Sequence, residues 1–100
     1  MATTTKVLAR VAAATSSTTL YTTPSATTTV VTNIAVANTA ATAATFTLNL
    51  NGNALLSGVS LAANSTAFFD VKQVLATTQT ISGLASATTV NFHISGVEIA

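Results

Sequence analysis

From Val11 to Phe69 the chain contains no Asp, Glu, Lys, Arg or His, and this run covers more than half of its 100 residues. Only 5% of the whole chain is charged, where an ordinary soluble domain carries about a quarter. A surface made under that restriction consists of hydroxyls, amides and methyl groups, and Thr and Ala together supply about two-fifths of the residues. Thr, Val, Ile and Asn are poor helix formers, whereas Thr, Val, Ile and Phe fit a pleated, half-buried surface. The chain is therefore constrained to strands, and a sheet surface with so little charge does little to resist association.

Period-two alternation locates the strands. Along Thr45-Phe46-Thr47-Leu48-Asn49-Leu50 the apolar residues Phe46, Leu48 and Leu50 point one way and the polar ones the other. Asn51-Gly52-Asn53 follows as a turn, since Gly and Asn tolerate positive φ. A second strand runs from Val30 to Asn38, with Val30, Ile34 and Val36 on one face and Asn33, Ala35 and Ala37 on the other. A third runs from Thr89 to Ser95 with Val90, Phe92 and Ile94 inward. Beyond Gly96 the apolar parity flips to Val97 and Ile99, which predicts a β-bulge or kink at Gly96. Weaker strands fit Lys6–Val11, Thr18–Tyr21, Leu55–Leu61, Thr66–Val71 and Thr78–Leu84, and Val71, Val74 and Leu75 sit at the spacing of a short helical turn.

Seven or eight short strands in one hundred residues read as an all-β chain. It forms a single antiparallel β-sandwich, or jelly-roll-like, domain over residues 1–100. Residues 1–5, ahead of Lys6, are expected to form a flexible or partner-docking arm. No cysteine is present, so disulfides are excluded. Arg10 interrupts the apolar stretch Val7–Ala14, so no cleaved signal peptide is expected. No run approaches the roughly 20 apolar residues of a membrane-spanning helix. Lys6, Arg10 and Lys72 are too few and too scattered for nucleic acid.

The inventory for chemistry is short: Asp70, Glu98, His93, Lys6, Lys72, Arg10 and Tyr21. Paired-carboxylate hydrolysis needs two acids in one cleft, yet Asp70 and Glu98 read as separate, solvated strand positions. Asp70 and Lys72 share a strand face and are expected to meet water. His93 alternates with the buried set and reads as an outward strand residue, neither a general base nor a metal ligand. Asn64-Ser65-Thr66 is a formal glycosylation acceptor, but such triplets arise by chance in this composition. Ice binding needs a regular outward array of threonines, and Thr3-Thr4-Thr5, Thr22-Thr23 and Thr27-Thr28-Thr29 are adjacent instead. Carbohydrate sites usually stack a sugar on an exposed aromatic; Trp is absent, Tyr21 is the single tyrosine, and the four phenylalanines are expected inside. No catalytic, cofactor-binding or metal site is predicted, and no enzymatic activity.

Leu20-Tyr21-Thr22-Thr23-Pro24-Ser25-Ala26-Thr27-Thr28-Thr29-Val30-Val31 resembles an "LYTVPAGTTAVV" opening found in small tailed-phage virion proteins. The pattern continues through Asn38 and Ala44-Thr45-Phe46. Leu61–Thr66 resembles a later turn, and Phe92–Ile99 resembles the closing strand of that family. The resemblance covers most of the chain and implies a small all-β structural protein of a bacteriophage particle, assembled in the host cytoplasm. It carries no catalytic motif, and the lack of charge after Asn51 departs from the fuller pattern.

The expectation is a capsid cement or decoration protein that stabilises the head by binding the major capsid protein. It is expected to be homo-oligomeric, with a trimer as the anticipated copy number. The segment Thr3–Arg10 and the loop Thr39–Ala44 are expected to make the contacts. The alternatives are a neck, tail or head-fibre component, or a carbohydrate- or surface-binding module.

Overall fold

The computed structural model describes residues 3–70 and 72–100. Nine strands account for the regular structure among them: β1 Thr3–Ala12, β2 Thr18–Thr22, β3 Thr28–Asn38, β4 Ala44–Leu50, β5 Asn53–Leu61, β6 Ser65–Phe69, β7 Gln73–Leu75, β8 Thr80–Ala85 and β9 Val90–Ile99. They form two antiparallel sheets. Sheet I has the order β1-β9-β3-β6, with β7 also paired to β3; sheet II has the order β2-β8-β4-β5. β6 pairs with β3 from Ile34 to Asn38, and β7 pairs with it from Thr29 to Val31. Together they make one edge strand, interrupted around Asp70 and Lys72. Counted that way the described residues form eight strands, and every link except the β4–β5 hairpin crosses from one sheet to the other. That connectivity is the jelly roll.

The β4–β5 turn follows from its sequence. Asn51 and Gly52 both have positive φ, 50° and 78°, and Leu50 pairs with Asn53. This is the two-residue hairpin that matches the twist of its flanking strands.

The core lies between the sheets and is filled by the apolar parity of each strand. Phe46, Leu48, Ile34, Val36, Ile81, Val90, Phe92 and Ile94 are all essentially inaccessible. Phe46 meets Phe69 and Phe92 edge-on, with ring centroids 6.0 and 6.1 Å apart. That geometry adds to the area these rings bury.

Four sequence expectations are corrected. β9 keeps strict alternation through Gly96; the bulges lie on its neighbours, with Leu8 the extra residue in β1 and Thr32 the extra residue in β3. The Leu8 bulge places Leu8 and Ala9 both inside. A β-carbon at Gly96 would stand 2.4 Å from the Val30 carbonyl oxygen and 2.8 Å from Leu8 Cδ1. Gly96 is thus a site of close approach, not a kink. The Thr32 bulge likewise resets β3, so that Val31, not Val30, joins Ile34 and Val36 in the core.

The expected N-terminal arm is, from Thr3 onward, part of β1, with Thr3, Thr4 and Thr5 paired to Ile99, Glu98 and Val97; residues 1 and 2 lie outside the described part. In place of a helical turn, Gln73–Leu75 forms β7, and Val71 lies outside the described residues. Backbone pairing with β3 outweighs the 3.6-residue apolar spacing there.

Candidate functional site

The titratable side chains fall into three separate groups. Asp70 and Lys72 face water in the break of the edge strand and form an exposed ion pair at 3.3 Å, a type worth little in stability. His93 lies on the outer side of sheet I, between Arg10 of β1 and Ala35 of β3. Glu98 is not a solvated strand position as expected. Because β9 does not change parity at Gly96, Glu98 points inward at one end of the sandwich. There its Oε2 accepts hydrogen bonds from the Tyr21 hydroxyl at 2.5 Å and from Lys6 Nζ at 3.2 Å.

Tyr21 is on β2 of sheet II, so this cluster ties one sheet to the other. The Tyr21 proton goes to Glu98, which leaves the Thr29 hydroxyl to donate to the phenol oxygen at 2.8 Å. The Tyr21 hydrogen bond, aided by Lys6 and opposed by partial burial, holds the Glu98 carboxyl below its usual range. Burial, followed by the adjacent Glu98, pushes the Tyr21 phenol up. The two carboxylates serve different partners, and no group of three or more His, Cys, Asp or Glu occurs among the described residues.

A second polar hub closes the other end. Asn38 is buried; its Nδ2 faces the carbonyls of Thr42, Leu61 and Ala62 at 2.8, 3.4 and 3.3 Å. Its Oδ1 accepts from the Ala40 amide at 3.1 Å and the Thr89 hydroxyl at 3.3 Å. This one side chain fixes the loop after β3, the β5–β6 turn and the approach to β9, which includes most of the segment expected to make contacts.

The outer faces of the two sheets differ in chemistry. On sheet II the outward positions Thr19, Thr22, Thr45, Thr47, Asn49, Ser60, Thr80 and Ser82 carry hydroxyls and amides, with Leu84 and Ala54 the apolar residues among them. On sheet I the register sets out rows of another kind. One row runs Arg10, His93, Ala35, Phe68; another runs Thr5, Val97, Val30, Val74. Phe68 is 74% exposed and Val74 65%, with Val7 at 44% on the opposite edge strand. A shallow trough of about 400 Å³ opens on this face where the bulges lie, lined by Thr5, Lys6, Val7, Thr32, Ser95 and Val97.

The exposure of Phe68 overturns the expectation that all four phenylalanines are buried. A signal for it was present: Phe68 and Phe69 are consecutive, and consecutive strand residues take opposite faces. Phe69 turns to Phe46 in the core, and Phe68 is left outside.

No family model matches the chain, and no curated protein matches it. Among solved structures it resembles a chain of the T13 viral particle of IBDV, an animal virus, with a TM-score of 0.60 at 11% identity. The match takes in 97% of this chain and 30% of the capsid chain, so the protein spans under a third of that chain's length. The jelly-roll fold is thus one also found in a viral particle.

Proposed function

We propose that the protein is a non-enzymatic structural component of a virion, working as a capsid cement or decoration protein that binds the major capsid protein and stabilises a phage head. The observation that carries the reading is the outer face of sheet I: a pleated surface nearly free of charge that exposes Phe68 and Val74 on a jelly roll. Two large apolar side chains held out on one face of a small domain suit a contact surface, and extensive, charge-poor interfaces characterise permanent assemblies. The fold shared with a viral particle chain and the resemblance of Leu20–Val31 to small phage virion proteins support the same reading. The mechanism is mechanical. Apolar and hydroxyl-bearing faces are buried between subunits and add contacts across capsomer junctions that resist internal pressure.

Proteomics and electron microscopy of purified particles test it. The expected result is a copy number comparable to that of the major capsid protein and density on the head. A small, ring-sized copy number favours the neck or tail, and absence from particles overturns the reading. A carbohydrate-binding module gains one specific feature, the exposed Phe68 ring; selective glycan binding lost in Phe68→Ala would favour it.

A further inference from the structure

We propose that the outer face of sheet I pairs two copies of this chain about a two-fold axis running along the strands. The inference goes beyond the virion role and narrows it: the outer face of sheet I is taken by a second copy, which leaves the hydroxyl-bearing face of sheet II and the loops for other virion proteins. It does not depend on that role, because self-pairing is a property of the purified chain. The face is self-complementary across its width. Its projections, Phe68 and Val74, stand on the β6/β7 edge; its trough, lined by Thr5, Lys6 and Val7 of β1, Ser95 and Val97 of β9 and Thr32 of β3, and its cation, Arg10, lie toward the β1 side. A two-fold axis along the strands lays the β6/β7 edge of one copy over β1 of the other, because such an axis exchanges the two edges while keeping each row at its own level.

Each projection then finds a partner. Val74, in the row of Thr5 and Val97, descends on the trough. Phe68, in the row of Arg10 and His93, covers the guanidinium, the geometry of a cation–π contact. Arg10 has no carboxylate partner among the described residues. In the pair it approaches the edge that carries the Asp70–Lys72 ion pair, whose charges sum to zero, so that margin does not repel it.

The size of the face fits. Ten-residue strands at about 3.3 Å per residue and four strands about 4.8 Å apart give roughly 600 Å² in projection. A stable interface buries about 600–1,000 Å² per partner. Twisted sheets pack face to face about 10 Å apart when their strands run nearly aligned, and a second copy supplies a sheet of the same length and twist. A net charge of +1 opposes the approach very little. The pair is two-fold, where the expectation for a capsid cement protein was a trimer.

Sedimentation equilibrium of the purified chain, from micromolar to high micromolar concentration, is the test. The expected species has twice the 10.0 kDa chain mass. Phe68→Asp, at a position 74% exposed, is expected to weaken pairing at least tenfold without altering the β-sheet circular dichroism. Thr47→Asp, on the outer face of sheet II, is expected to leave it unchanged. A chain that stays monomeric throughout, or a dimer that tolerates Phe68→Asp, overturns the proposal. So does a trimer dissociated by Thr47→Asp. A monomer that binds capsid shells through Phe68 also overturns it, and assigns the face to a foreign partner.

Discussion

The Tyr21 hydroxyl of one sheet donates to the Glu98 carboxylate of the other at 2.5 Å, with Lys6 on the far side of the same carboxylate at 3.2 Å. The chain separates Tyr21 and Glu98 by 77 positions, and only closure of the sandwich brings them together. The cluster makes one end of the molecule sensitive to pH in both directions.

Glu98 is held below its ordinary carboxyl value in the folded state, so the stability it contributes is present above the unfolded value near 4.5 and is lost as pH falls through the folded one. Tyr21 is raised above 10.0, so its contribution is present below that value and is lost as pH rises beyond it toward the folded one. Urea denaturation between about pH 6 and pH 3 is expected to show stability falling with pH, and the slope is expected to flatten in Tyr21→Phe. At neutral pH Tyr21→Phe also removes the Thr29 hydrogen bond, at about 1 kcal/mol. A slope unchanged by the substitution would refute the linkage.

Asn38 is expected to tolerate no substitution. Asn38→Ala strips partners from three carbonyls, an amide and a hydroxyl around a buried position, a loss of about 3 kcal/mol. Asn38→Asp keeps the acceptor but sets a carboxylate against those carbonyls, so it is expected to be at least as damaging. Thermal melts of the two variants check both the size and the order.

Gly96→Ala is expected to destabilise by about 1–3 kcal/mol or more. The added methyl meets the Val30 backbone, which cannot move aside, as well as Leu8. Leu8→Ala in the same chain is expected to recover only part of the loss, because the backbone contact remains. Full recovery would show that the side chain alone sets the glycine requirement.

Phe46→Ala is expected to cost about 3–5 kcal/mol. It empties the centre of the edge-on trio with Phe69 and Phe92. Chemical denaturation measures it, and a loss below about 1 kcal/mol would mean that the core collapses readily around the gap.

By itself the sequence determined the strands and the class of fold. Alternation of Phe46, Leu48 and Leu50 against Thr45, Thr47 and Asn49, and the Asn51-Gly52 turn, are local matters of side-chain parity and backbone freedom, legible from adjacent residues. The consecutive phenylalanines at 68 and 69 likewise announced that one must face outward. Tertiary structure decided the rest. The bulges at Leu8 and Thr32 arise from fitting β1 and β3 to a straight β9, and that fit turned Val30 outward. The same fit left Glu98 pointing in. Which threonines lie on a hydroxyl face and which valines line an apolar one depends on sheet order, because a strand's own alternation names two faces without saying what lies beyond either of them.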